Sequence, residues 1–368
     1  EKFRSWNHAY LSYVDIEEYL KTKDTILVPM ASTEQHGPHL PLYTDTITAI
    51  EISERISEHI GVLHTPPLWA GYSPQHMYGV GQGRGTVTLR ASTLLNLMND
   101  VARSLIHHGF NRIIFINGHG SNTKVVDPVL RKLRYETGAL ISFVKPFMER
   151  YTGVLEGLME NPPEETPGWH SSELETSQDL AWNPDLVRME RAVDTRAHTP
   201  AFLPDAFRKN DGMPDTEFEG YQYFPFPMDH HEFVENGIIG NPMRATAEKG
   251  EEAFRRYSEH VARGILELEK VPVDVHTREF IDRIEANRTA TSYSRVTANI
   301  EGPSEEAVAA KVLERPEAAG LQGPTVGRVY SPDGRQLYAV TVVVEKATLG
   351  AVVDHLRSIG GTTVTVSA

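Results

Sequence analysis

Three short runs dense in apolar and β-branched residues constrain this chain more than any other feature: "TILVPM" (25–30), "NRIIFIN" (111–117) and "ALISFV" (139–144). Each is strand-length, and segments of helical periodicity separate them. "TDTITAIEISERISEHI" (44–60) reads as an amphipathic helix. "STLLNLMNDVARSLIHHGF" (92–110) reads as a second, with Ser92 or Thr93 expected as its N-cap and Gly109 as its end. A third helix is expected near 123–137. Strands alternating with helices predict an α/β fold with a mainly parallel sheet covered on both faces. Ligands of such sheets gather outside the carboxyl ends of the strands. "ASTEQHG" and "GHGSN" both begin at such ends.

Residues 195–235 are rich in proline and aromatic residues with little periodicity, and are expected to form an ordered lid or oligomer arm. A long amphipathic helix follows at 245–270. From about 292 the order of elements becomes β-α-β-β-α-β: "RVTANIE", the helix "SEEAVAAKVLE" capped by Ser304, and two strands around the turn "PDG" (332–334). The helix "TLGAVVDHLRSIGG" and the strand "TTVTVS" complete it. That order predicts a ferredoxin-like domain. The expected organisation is a first domain over 1–275, a linker over 276–291 and a second domain over 292–368.

Composition narrows the chemistry. Lys and Arg number 36 against 50 Asp and Glu, a net charge of −14, and there is no basic cluster, which argues against a nucleic-acid partner. No apolar run reaches the length of a membrane span. No secretory signal pattern opens the chain, and cysteine is absent, so a cytoplasmic location is expected. Thiolate ligands and disulfides are excluded, while 16 histidines leave imidazole and carboxylate as the strong ligands for a transition metal.

Three clusters could carry that chemistry. In "STEQHGPHLPLYTDT" (32–46), Glu34 and His36 stand two apart after a strand, where an extended backbone points them to the same side. Asp45 stands at the start of the next helix, where the dipole favours a carboxylate. Taken singly, Asp45 is an ordinary helix-start residue and His36 a loop histidine; together they are harder to dismiss. In "NGHGSN" (117–122), Gly118 and Gly120 permit a tight turn that exposes His119 at a strand end. In "WHSSELETS" (169–177), His170 and Glu173 share a face if helical, although most glutamates are simply solvated. "MDHHEF" (228–233) reads as surface, and His107 and His108 as helix-end residues.

These blocks, with "NGIIGNPMRATAEKGEE" (236–252), resemble in order the signature blocks of the creatininase family of metal-dependent amidohydrolases over about residues 10–270. The resemblance implies a three-layer αβα domain with a dinuclear centre at the carboxyl end of the sheet. Carried over, Glu34, Asp45 and His119 would hold one metal. His36, a bridging Asp45 and an acidic residue would hold the second. Creatininase proper places that acid where Ser121 stands here, which counts against creatinine as substrate. The chain instead resembles members with an H-x-x-E block, which assigns Glu173. His170 is expected to shuttle a proton to the leaving group. Trp169, His76, Ser121 and Asn122 are the expected substrate contacts. Residues 292–368 resemble the regulatory domain of long-form ATP phosphoribosyltransferase, which implies oligomer packing or sensing of a small effector, not phosphoribosyl transfer.

The expectation is therefore a hydrolase with two divalent ions per subunit, Zn²⁺ or Mn²⁺ with Fe²⁺ also suited, opening a small cyclic amide with a hydroxide generated on the metals. The second reading is a carbon–carbon hydrolase of a cyclic diketone of the diketo-inositol type. The third is an inactive sensor. A homo-oligomer is expected, a hexamer by resemblance.

Overall fold

The computed structural model describes residues 3–78, 83–145, 153–160, 170–212, 215–279 and 292–367. The chain divides into two compact units, Glu1–Arg278 and Glu279–Ala368. Most of the expected linker, 280–291, lies outside the described residues.

In the first unit, α1 (Tyr13–Leu20) opens with a capping box in which Ser12 and Asp15 exchange hydrogen bonds. There follow β1 (Thr25–Met30), α2 (Thr44–Ile60), β2 (Leu63–His64), α3 (Ala91–His107), β3 (Arg112–Asn117), α4 (Asp127–Thr137) and β4 (Leu140–Val144). The four strands form one parallel sheet in the order β2-β1-β3-β4. Ile26 pairs with Ile113 and Leu27 with Ile114.

The two-residue period of the strands divides the core into two layers. Ile26, Val28, Met30, Ile113 and Phe115 pack with Leu94, Met98 and Ile106 of α3 and Leu133 of α4. Leu27, Ile114 and Ile116 turn the other way, onto Ile52 and Ile56 of α2 and onto a later helix through Phe254, Val261 and Ile265. Each such fully buried side chain contributes about 1.5–3 kcal/mol of transfer free energy. The three-layer αβα arrangement follows from this alternation.

The helix after "WHSS" is α5 (Glu173–Trp182). Between it and the long amphipathic α6 (Ala247–Glu269), the aromatic segment makes a small antiparallel sheet of β5 (Phe207–Arg208), β6 (Asp215–Phe218) and β7 (Tyr221–Pro225). Two helix starts depart from expectation. Arg90 occupies the N-cap of α3 with no side-chain cap, so Ser92 and Thr93 lie inside its first turn. The helix expected near 123 starts at Asp127, with Pro128 in its first turn, because a 3₁₀ turn over Gly120–Lys124 precedes it.

The second unit is the expected β-α-β-β-α-β module: β8 (Tyr293–Glu301), α7 (Glu305–Leu313), β9 (Thr325–Val329), β10 (Leu337–Glu345), α8 (Leu349–Ser358) and β11 (Thr362–Ser367). Its sheet is antiparallel in the order β11-β8-β10-β9. Val296, Ala298 and Ile300 alternate inward with Val340, Val342 and Val344 onto Val308, Val312, Val352 and Leu356 of the two helices. Ser304 caps α7 by accepting from the Ala307 N–H.

Candidate metal centre

The carboxyl ends of β1 and β3 lie side by side, and each releases the chain into a turn that carries ligand-type side chains. After β1, the chain supplies Glu34 and His36, turns at Gly37 with a φ of +66°, and enters α2 with Asp45 in its first turn. After β3, Gly118 passes so close to α2 that an added Cβ would collide with the Asp45 carbonyl oxygen, which is why only glycine fits. His119 follows as the residue preceding the 3₁₀ turn. From the third segment comes Glu175 in the first turn of α5, just after Ser171 with a φ of +55°. Such a conformation in a residue other than glycine costs about 1–3 kcal/mol and is commonest at functional sites. The Ser171 N–H donates to Glu175 Oε2 at 2.6 Å, which ties the turn to the carboxylate.

Glu34, His36, Asp45, His119 and Glu175 are all nearly or fully buried. Three sets of their donor atoms, joined by His170, converge closely enough to hold a cation: Glu34 with Asp45 and His119, His36 with Asp45 and Glu175, and Glu34 with His36 and His170. Asp45 belongs to two sets through different oxygens, Oδ2 lying 2.9 Å from His119 Nδ1 and Oδ1 lying 3.3 Å from His36 Nε2.

The orientation of the imidazoles is the most telling feature. His36 Nδ1–H donates to the Glu34 carbonyl at 3.2 Å, His119 Nε2–H to the Tyr72 carbonyl at 3.0 Å, and His170 Nδ1–H to the Gly237 carbonyl at 2.6 Å. Each backbone acceptor fixes one nitrogen as the donor and leaves the other to face carboxylate oxygen, the arrangement found around metal-bound histidines. Ligands about 2.1 Å from one cation stand about 3.0 Å apart at right angles and about 3.4 Å apart in a tetrahedron. The gaps here, 2.9 Å from His119 Nδ1 to Asp45, 3.4 Å from His119 Nδ1 to Glu34 and 3.3 Å from His36 Nε2 to Asp45, suit a shared cation. His36 Nε2 to Glu175 Oε2 is wider, at 3.8 Å. Glu34 Oε2, buried, has no hydrogen-bond partner among the described residues. The residues fit the divalent ions expected of them.

Electrostatics point the same way. Burial alone would lower the pKa of His36, but Asp45, Glu175 and Glu34 overcome it and raise it to about 10. His119 is likewise raised well above the ordinary value against its burial, chiefly by Glu34 and Asp45. Burial opposes ionisation of Glu34, yet His119 above all holds its carboxyl well below the usual range. The cluster thus gathers positive charge in protons where divalent ions could take their place.

The structure relocates several expected site residues. Glu173 is fully buried but lies outside the cluster: Lys249 Nζ sits 2.7 Å from its Oε1, and the Glu160 N–H donates to it. Because α5 begins only at Glu173, His170 and Glu173 do not share a helical face, and Glu175 takes the place expected of Glu173. Asn122 is a brace of its turn. Its Nδ2 donates to the Ala31 carbonyl and to Asn117 Oδ1, and its Oδ1 accepts the Tyr72 N–H. Ser121 Oγ accepts from Gln75 Nε2 at 2.8 Å. His76 reaches the cluster, its Nε2 lying 3.4 Å from Glu34. Trp169 lies outside the described residues. His230 of "MDHHEF", expected at the surface, is buried against the rings of His76 and His170. Only the adjacent capping box of Asp229 and Glu232 marks that segment as ordered in the sequence.

Layers, parallel sheet and donor set define an α/β protein with a buried cluster of imidazoles and carboxylates at the carboxyl end of its sheet. Comparison with known proteins narrows this class: residues 9–265 match the creatinine amidohydrolase family, and residues 290–368 match the C-terminal domain of HisG. The chain belongs to the creatininase family of metal-dependent hydrolases. It is 31% identical to a creatinine amidohydrolase of Pseudomonas putida over 66% of this chain and 88% of that one. It is 30% identical to a 3-dehydro-scyllo-inosose hydrolase of Thermotoga maritima over 68% of this chain and 81% of that one. A solved creatininase mutant of Zn-Zn type superposes with a TM-score of 0.58 at 28% identity, covering 73% of this chain and all of that one. For the second unit, the chloroplastic ATP phosphoribosyltransferase 2 of Arabidopsis thaliana is 40% identical over 93 residues, 24% of this chain and 22% of that enzyme. No helix among the described residues is long and apolar enough to cross a membrane.

Proposed function

We propose that the protein hydrolyses a small cyclic carbonyl compound at a dinuclear centre held by Glu34, Asp45 and His119 on one side and His36, Asp45 and Glu175 on the other. The observation that carries this reading is the set of three imidazoles, each locked by a backbone carbonyl so that its second nitrogen faces a carboxylate. Bound divalent ions such as Zn²⁺ or Mn²⁺ would supply Lewis acidity and a water acidified to near neutral pH. The chain does the rest. Asp45 offers one oxygen toward His36 and the other toward His119, so it would hold an ion on each side. His170 lies with Nε2 3.3 Å from Glu34, where it can take the proton released when water adds to the carbonyl carbon. As the ring bond breaks, that proton passes to the leaving atom, and the product is the substrate plus one water.

For a cyclic amide the leaving atom is nitrogen. For a cyclic diketone it is an enolate carbon. The similarity to a 3-dehydro-scyllo-inosose hydrolase favours the second chemistry as a full alternative, as does Ser121, which the family resemblance puts where creatininase proper would carry an acid. A homo-oligomer and an effector at the second unit belong to the same reading; light scattering giving a monomer would remove the first. The test is to load the protein with Zn²⁺ or Mn²⁺, count metal per chain, and screen lactams, imides, cyclic ketones and inososes for a gain of one water by mass. Two ions per chain and one hydrated product are expected. Fewer than one tightly bound ion, with no product, would favour an inactive sensor.

A further inference from the structure

A glutamine between two cluster residues fixes the protons of two histidines above them. The backbone N–H of Gly37 can only donate, and it donates to Gln35 Oε1 at 2.9 Å. The side-chain amide is thereby oriented, with its oxygen toward Gly37 and its nitrogen away. Gln35 Nε2 then directs its two hydrogens to His76 Nδ1 and His230 Nδ1, each at 3.0 Å. A ring nitrogen that accepts a hydrogen bond carries no proton, so both rings are neutral with hydrogen on Nε2.

The two Nε2–H groups differ in what they meet. That of His76 faces Glu34 Oε1 at 3.4 Å. That of His230 meets no acceptor among the described residues, although the ring is only 4% exposed. The ring is held edge to face by His170 at 4.7 Å, His76 at 4.6 Å and Phe233 at 5.2 Å between centroids. Its Nε2 is not one of the fully buried unpartnered atoms, so a ligand oxygen can reach it. The arrangement is explained if a ligand completes it.

We propose that Gln35 is a positioning residue that fixes His230 as a neutral donor, and that His230 Nε2–H donates to an oxygen of the substrate beside the reacting bond. The substrate class is thereby narrowed to compounds with a carbonyl, hydroxyl or carboxylate oxygen at that place. A cationic nitrogen, which has no lone pair to offer, is rejected. The placement beside the reacting bond rests on the hydrolase reading; the proton assignment does not.

The test uses the full chain loaded with zinc and labelled with ¹⁵N-histidine. The ring of His230 should show a proton on Nε2 and none on Nδ1 from pH 5.5 to 8.5. Gln35→Glu, whose carboxylate can only accept, should move a proton onto Nδ1. Acetohydroxamate, a carbonyl-bearing probe, should shift the His230 Nε2–H resonance. On the substrate found by the hydration screen, His230→Phe should lower kcat/KM roughly 10- to 100-fold with metal content unchanged, and His230→Gln, which restores an N–H, should recover most of it. A proton on Nδ1 in the unmodified protein overturns the tautomer. An Nε2–H signal indifferent to acetohydroxamate, or a His230→Phe enzyme as active as the parent, overturns the donor role while leaving the hydrolase reading intact. If the screen yields no substrate, the hydrolase reading fails, and the spectra still decide between a fixed donor and an ordinary buried histidine.

Discussion

Glu173 and Glu175 are two residues apart in the first turn of α5, and their carboxylates point to different parts of the molecule. Glu175 Oε2 lies 3.8 Å from His36 Nε2 in the candidate centre, while Glu173 Oε1 lies 2.7 Å from Lys249 Nζ on α6. Successive helical residues are about 100° apart, so a two-residue step moves a side chain more than half way round the axis. One carboxylate serves the centre, and the other fastens Glu160 and α6 to α5 through Lys249 and the Glu160 N–H.

Glu175→Gln and Glu173→Gln are therefore expected to fail differently. The first removes a charged donor beside His36 and should leave about one ion per chain, with activity reduced at least 100-fold. The second should keep both ions but lose about 1–3 kcal/mol, because Lys249 loses its buried partner and keeps only the exposed Glu160 carboxylate. Metal analysis and urea unfolding of the two variants check this. Two ions in Glu175→Gln and one in Glu173→Gln would reverse the assignment.

Asp45→Asn should release both ions, since each of its oxygens faces a different imidazole. Chelation of the unmodified protein should reproduce the loss and also lower the melting temperature. An ion held at 100 times its Kd adds about 2.7 kcal/mol to the folded state. Calorimetry with and without chelator measures the difference; an unchanged Tm together with unchanged activity would remove the metals from the account.

Much of this was legible in the sequence because it depends on local pattern. The alternation of buried strand residues, the turn glycines and the first ligand cluster all announce themselves within a few residues of chain. Glu34, His36, Asp45 and His119 were accessible for that reason. Glu175 was not, because whether Glu173 or Glu175 faces inward depends on where α5 begins, and that is set by Ser171 in a left-handed conformation. Nor was His230 accessible: its burial comes from contacts with His76 and His170, distant in sequence, in a segment without periodicity. The Asn122 amide reads equally well as substrate contact or turn brace until Ala31 and Tyr72 are seen beside it.

Gly118→Ala tests whether the approach of β3 to α2 sets the centre. The added methyl would collide with the Asp45 carbonyl oxygen, and backbone on both sides leaves little room to yield. The variant is expected to lose about 1–3 kcal/mol of stability and to bind metal at least tenfold more weakly, since Asp45 and His119 must separate. Competition with a chromogenic chelator measures the affinity. Normal binding in a stable Gly118→Ala protein would show that the close approach is dispensable.

Asp179 gives the protein without bound metal a definite pH dependence. Burial pushes its carboxyl up from 3.8 to about 7, against the Thr44 hydroxyl that donates to Oδ2 at 2.6 Å. Between those values the folded protein keeps a proton that the unfolded chain has released. The folded state therefore binds more protons, and stability falls as pH rises. Each pH unit in that window removes about 1.4 kcal/mol, so at most about 4 kcal/mol is lost from this group by pH 7. Asp179→Asn retains an oxygen for Thr44 and has nothing to ionise. Chelator-treated Asp179→Asn should match the parent near pH 4 and exceed it by up to about 4 kcal/mol near pH 7.5, as read by urea unfolding at the two pH values. Parallel stability curves for the two proteins would mean that Asp179 is already ionised in the fold, its charge balanced by His36 nearby.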